Sequence, residues 1–212
     1  MFFIDKKAMS DTYLTLSAPG ESIYTEKRSR FLAFAMPVAN EEEVKSKVAE
    51  FRKKYYDARH VCYAYALGFD ASRTRANDDG EPSGSAGRPI LGQLRSAGVT
   101  FTLVIVVRYF GGVKLGTGGL VVAYKTAAAE ALENASIEER IVTAQVCFAV
   151  PYADADTAMR FVKEEGAEII ARDYTATDTL LTASVRLNDE ERLKQRLAKI
   201  LSLRFLDTDE AQ

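Results

Sequence analysis

The chain has 212 residues, 47% of them hydrophobic and 27% charged, with a formal net charge of −2; this composition excludes wholesale disorder. The near-neutral balance and a pI of about 5.6 exclude coating of nucleic acid by bulk electrostatics and leave only a local basic patch for that purpose. One histidine, His60, and two cysteines, Cys62 and Cys147, cannot complete a four-ligand zinc site within one chain or form a disulfide framework.

In chain order, the apolar part of Met1-Phe2-Phe3-Ile4-Asp5-Lys6-Lys7 is too short for a signal peptide. No apolar run approaches the roughly 18–20 residues that span a bilayer. A cytoplasmic protein with no membrane partner is therefore expected. Residues 22–25 and 31–36 read as a hairpin or two adjacent strands around Lys27-Arg28-Ser29-Arg30, ending at Pro37. Asn40 caps a helix with Glu41, Glu42 and Glu43 in its first turn and Val44, Val48 and Phe51 on its apolar face. Residues 60–69 form a strand, with Val61, Tyr63, Tyr65 and Leu67 on one face and His60, Cys62, Ala64 and Ala66 on the other. Periodicity is lost from 70 to 89, a stretch long for a plain connection.

A short helix follows from Ile90 to Ala97, then an apolar strand from Phe101 to Tyr109. The glycine-rich segment 111–119 leads into an alanine-rich helix from Leu120 to Leu132. From about residue 140 the order is strand, helix, strand, strand, helix, strand, the split pattern of ferredoxin-like domains. That part holds 9 basic and 13 acidic residues, against 19 and 17 in residues 1–140, so any anion-binding role falls to the first part.

The strongest chemical signal is strand, glycine-rich loop, helix at 101–132. A glycine-rich turn opening a helix offers backbone N–H groups and a positive dipole end to phosphate or carboxylate. Arg108, Lys114 and Thr117 can add charge and a hydroxyl around Gly111, Gly112, Gly116, Gly118 and Gly119. The segment is neither a P-loop, since Thr117 follows Gly116 where a lysine belongs, nor a dinucleotide fingerprint. The plain alternative is that the glycines serve tight turns and close packing.

The second signal is Asp78-Asp79-Gly80-Glu81-Pro82-Ser83-Gly84-Ser85-Ala86-Gly87. Its carboxylates could hold a hard cation or supply a general base, or could belong to a solvated turn. His60 and Cys62 share a strand face and could form a thiolate–imidazole pair, or pack as a bonded histidine beside a buried thiol. Lys27-Arg28-Ser29-Arg30 and Arg52-Lys53-Lys54 are solvated charge or RNA phosphate contacts.

Ser29-Arg30-Phe31, Asp57-Ala58-Arg59-His60-Val61-Cys62, the 78–87 segment and Arg108 to Leu120 occur in one order. Together they closely resemble the IMPACT family in its bacterial YigZ-like form. The resemblance implies a first domain of the type seen in domain IV of elongation factor G, and a ferredoxin-like second domain similar to that factor's last domain. It also implies RNA or nucleic-acid binding. Eukaryotic relatives regulate translation through a different domain, and that mechanism is not carried over. Val61 stands where some relatives have a second histidine, so no role needing a histidine pair transfers.

The expectation is an α+β protein of two domains. Residues 1–138 form an α/β two-layer domain of the IMPACT type, and 139–212 a ferredoxin-like βαββαβ domain. The function expected is non-enzymatic binding of RNA or the ribosome, as in regulation of translation, with a protein partner as a further candidate. The alternative is a small hydrolase or transferase acting on a phosphorylated or nucleotide substrate. The binding residues are Arg30, Asp79, Glu81, Ser83, Ser85, Arg108, Gly111, Gly112, Lys114, Gly116, Thr117, Gly118 and Gly119, with no catalytic residue, metal or cofactor assigned. The 78–87 and 108–119 segments are expected to converge, with the Arg108 guanidinium at the loop mouth rather than in the core.

Overall fold

The computed structural model describes residues 11–207; the reading of Met1 to Lys7 lies outside them. The chain is α+β and the described residues divide into two compact units, Thr12–Arg140 and a second made of Asp11 with residues 141–207.

The first unit is built on a five-stranded antiparallel sheet. Its strands are β2 (Gly20–Glu26), β3 (Ser29–Pro37), β4 (His60–Leu67), β5 (Arg73–Asn77) and β6 (Thr102–Tyr109), in the order β2-β3-β6-β4-β5. Two further strands, β1 (Thr12–Ala18) and β7 (Ser136–Ile141), form a separate ribbon.

Alternation along the strands sorts the core into two halves. Phe31, Ala33, Cys62, Ala64, Val104 and Val106 face α2 (Gly87–Ala97) and α3 (Gly116–Glu133). Phe34, Val61, Tyr65, Leu103, Ile105 and Val107 face α1 (Glu41–Lys54), which buries Val44, Val48 and Phe51. Helices thus cover both faces of the sheet, and α1 adds a third layer to the two expected. Asn40 caps α1 through a 2.9 Å bond from the Glu43 N–H.

Several features depart from the sequence reading, the unread strands β1 and β7 among them. β5, RTRAN, lies within the stretch read as aperiodic. α2 begins at Gly87, three residues early, and α3 begins at Gly116, so the end of the glycine-rich segment forms its first turn. Packing is tight enough that a Cβ on Gly87 would sit 2.5 Å from the Asn77 nitrogen.

In the second unit, β8 (Thr143–Pro151), α4 (Ala155–Glu164), β9 (Glu168–Tyr174), β10 (Asp178–Arg186), α5 (Glu190–Leu197) and β11 (Arg204–Leu206) follow the βαββαβ order. The sheet order is β11-β8-β10-β9. Val146, Phe148, Val150, Leu181 and Val185 pack on Ala158, Val162, Leu193 and Leu197 of the two helices. Gly166, with φ of +70°, ends the α4 segment. Among the described residues no helix is long and apolar enough to cross a membrane.

Candidate nucleotide-binding cavity

The segment after β5 is organised by its first aspartate. Asp78 Oδ1 accepts from the Ala86 and Gly87 N–H groups at 3.0 and 2.8 Å, and Oδ2 accepts from Gly84 N–H at 2.8 Å. These bonds satisfy free donors at the start of α2, whose own N-cap residue, Ala86, has no capping side chain. Burial opposes the charge on Asp78, but the three N–H donors and Arg88 hold its carboxyl below the usual range.

Asp79 is equally committed. Its carboxylate accepts from Val61 N–H at 2.6 Å and from the Arg52 guanidinium, tying the loop to β4 and α1. Asp79 and Gly80 both adopt the left-handed conformation, at φ of +46° and +85°. That reversal turns Glu81 inward.

Glu81, 8% exposed, and Arg108, 6% exposed, meet in a buried ion pair of 2.6 Å between Oε1 and Nη1. The Tyr124 hydroxyl donates to the same Oε1 at 2.8 Å. Arg108 lies between the rings of Phe31 and Phe110, each 5.5 Å from the guanidinium carbon. Its Nη2 is 3.5 Å from Ser29 Oγ, and its Nε is buried without a hydrogen-bond partner. The expectation of a guanidinium at the loop mouth is therefore corrected: Arg108 continues the inward face of β6 and sits on the floor.

His60 Nδ1 lies 2.8 Å from the Asp79 carbonyl oxygen. A carbonyl only accepts, so Nδ1 carries the proton, and in the neutral ring Nε2 is an acceptor. That nitrogen lies 3.8 Å from Glu81 Oε1. The Cys62 thiol is 3.0 Å from the Asp78 carbonyl and 3.4 Å from the Tyr124 hydroxyl. Burial pushes its pKa well up, and that of Tyr124 as well. Imidazole and thiol thus serve different partners, and the thiolate–imidazole alternative does not fit.

The two segments do converge. A cavity of about 560 Å³ is floored by His60, Glu81 and Arg108, walled by Pro82, Phe110, Leu115 and Leu120, and rimmed by Arg59, Lys114, Gly116 and Thr117. The first turn of α3 faces it with no side chain capping its N–H groups. Of the residues expected to bind, Glu81, Arg108, Lys114, Gly116 and Thr117 line this cavity. Asp79 supports it from behind. Ser83 is exposed, and Ser85 is buried with its hydroxyl donating to the Pro82 carbonyl at 2.6 Å.

Gly111 serves close packing. Its N–H reaches Ser29 Oγ at 3.2 Å, and a Cβ there would lie 2.1 Å from the Arg28 carbonyl carbon. Gly112 has φ of +84° in an exposed turn; Gly118 and Gly119 lie within α3. Arg30 is next to Phe31 on β3 and so points to the opposite sheet face. Tyr124 and Arg59 escaped the sequence reading. The signal for Tyr124 was its place four residues after Leu120, on the same face of an alanine-rich helix. Among the described residues, no group of three or more His, Cys, Asp or Glu side chains could hold a metal ion.

The Impact N-terminal domain family model matches residues 27–132. The IMPACT family member YvyE of Bacillus subtilis is 39% identical over 132 residues, 62% of this chain and 61% of YvyE; this chain thus spans about three fifths of that relative. The IMPACT family member YigZ of Escherichia coli is 33% identical over 168 residues, 78% of this chain and 82% of YigZ. A crystal structure of a hypothetical protein, 32% identical, superposes with a TM-score of 0.70 over 95% of this chain and 100% of that one.

Proposed function

Since the chain belongs to the IMPACT family, by the match over residues 27–132 and its kinship with YigZ, we propose that its cavity binds single-stranded RNA and that translation is its setting. One observation carries this reading. Arg59 and Lys114 stand at the rim of a concave, largely apolar site beside the uncapped start of α3. Neither cation has an ion-pair partner among the described residues. Unneutralised cations beside a helix N-terminus suit phosphate, and apolar walls suit bases.

The β2–β3 hairpin extends the basic surface. Lys27 and Arg28 are exposed at its tip, and Arg28 lies against Gly111, next to the cavity-lining Phe110. We read the second unit as the ferredoxin-like domain that its strand order suggests.

The test is fluorescence anisotropy of a short single-stranded RNA across a salt series. Affinity falls with salt at a log–log slope of roughly −0.7 per phosphate contact, and Lys114→Ala or Arg59→Ala makes the slope shallower by about one contact. Salt-independent binding, or no binding at low salt, removes the reading. The His60 Nε2 acceptor would equally serve a hydrolase or transferase acting on a nucleotide or other phosphoester. Turnover of such a substrate by the wild-type protein would replace binding as the function.

A further inference from the structure

The cavity has a polarity that a phosphate-binding groove does not need. On its floor Arg108 is already neutralised by Glu81, and Tyr124 donates to the same carboxylate oxygen. The one unpaired donor there, Arg108 Nε, is buried out of contact with solvent, so what the floor turns to the cavity is acceptors. The side-chain partners of Glu81 converge on Oε1, Oε2 accepts no hydrogen bond from the described residues, and in the neutral ring His60 Nε2 is an acceptor beside it. A phosphate brings only acceptors and negative charge, so it is excluded from that end. Between floor and rim the walls are Pro82, Phe110, Leu115 and Leu120, and the unneutralised cations stand only at the rim.

The ligand that fits presents N–H donors inward, a flat apolar body in the middle and an anion outward. We propose, building on the RNA reading above, that one unstacked nucleotide of the strand enters base first. Its Watson–Crick edge donates N–H groups to Glu81 Oε2 and His60 Nε2. Its ring packs on Phe110, which is 48% exposed and has the Arg108 guanidinium carbon 5.5 Å from its centroid. Its phosphate stays outside, on Lys114, Arg59 and the first N–H groups of α3. Bases splayed out of single strands are recognised in this way, by aromatic stacking and by hydrogen bonds to their edges. The volume of about 560 Å³ is within the range that encloses small organic ligands, roughly 300–1,000 Å³.

The experiment compares a short RNA of mixed sequence with an abasic strand of the same length and phosphate number, using wild type, Phe110→Ala and Thr117→Trp. Wild type prefers the base-bearing strand by about tenfold or more, the scale of one stacked base. Phe110→Ala removes a stacking surface, and Thr117→Trp places a bulky ring at an exposed rim position; each abolishes the preference. Equal affinity of the wild type for both strands overturns base insertion and leaves the phosphate reading standing. A preference that survives in both variants places base contact elsewhere and overturns this assignment. Failure of the wild type to bind either strand removes the RNA reading and the inference together.

Discussion

Arg108 and Glu81 show how one residue can serve both stability and binding. The pair is buried, and the Arg108 Nε has no partner, so the guanidinium is held by a single strong bond and two flanking rings. Removing it strands a carboxylate that Tyr124 alone cannot compensate. Arg108→Ala should therefore destabilise the protein by about 3–5 kcal/mol, read as a fall in the urea midpoint, with any loss of RNA binding following from the loosened floor. An unfolding free energy within about 0.5 kcal/mol of wild type, the range of ordinary surface substitutions, would show that the pair does not hold the loops together. Asp78 gives a second measurable consequence. Its carboxyl titrates below the usual range because of three backbone N–H donors, so the ionised form favours the folded state. That contribution is complete above the unfolded carboxylate value of about 3.9 and is lost as pH falls through the lower native value. Asp78→Asn should therefore be less stable than wild type at neutral pH, and the difference should shrink in acid. A difference that stayed constant to pH 2 would mean the charge is irrelevant. In the sequence Asp78 and Asp79 look interchangeable. Their division of labour comes from the left-handed turn at Asp79-Gly80, which no side-chain pattern announces, so Asp79 was assigned to the ligand rather than to Val61 and Arg52.

At the scale of elements, the β2–β3 hairpin is built against local preference. Glu26 pairs with Ser29, and the two residues between them, Lys27 and Arg28, have φ of +43° and +67°. A two-residue turn of this kind favours Asn-Gly, and a non-glycine residue in the left-handed region costs about 1–2 kcal/mol. Lys27→Asn with Arg28→Gly should raise the melting temperature while lowering RNA affinity, since two exposed cations are lost. Both quantities rising together would dissociate the hairpin from binding. α1 was legible because it buries a regular stripe, and β4 and β6 because they are apolar runs buried on both faces. β5 was not, because RTRAN is polar and takes its strand conformation from pairing with β4 along Tyr63 to Leu67. The early start of α3 was hidden for a similar reason. Gly116, Gly118 and Gly119 disfavour a helix by about 1 kcal/mol each relative to alanine, and the buried Leu120, Ala123, Tyr124 and Ala127 that follow outweigh that cost. The cavity was thus readable as two segments with complementary charge, while its floor, where His60 of β4 joins Glu81 and Arg108 and Tyr124 bonds to Glu81, required the fold.

At the scale of the molecule, Thr12–Arg140 carries both core halves of its sheet and all the residues of the cavity. That segment produced alone should fold in one cooperative transition and keep the affinity of the full chain for single-stranded RNA. A fragment that folds but binds ten times more weakly would assign part of the site to the remaining chain. The ribbon of β1 and β7 has one more consequence. It brings the beginning and the end of this segment side by side, with Thr12 Oγ1 bonded to Glu139 Oε1 at 3.0 Å and the Val142 N–H to the Asp11 carbonyl at 2.6 Å. Adjacent ends are what circular permutation requires. A short linker could join residue 140 to residue 12, and new termini could be opened at the exposed Asp70–Ser72 turn, far in sequence from the cavity residues on either side of Phe110. The segment could also be spliced into a surface loop of an unrelated carrier, which would then acquire the cavity as a portable module.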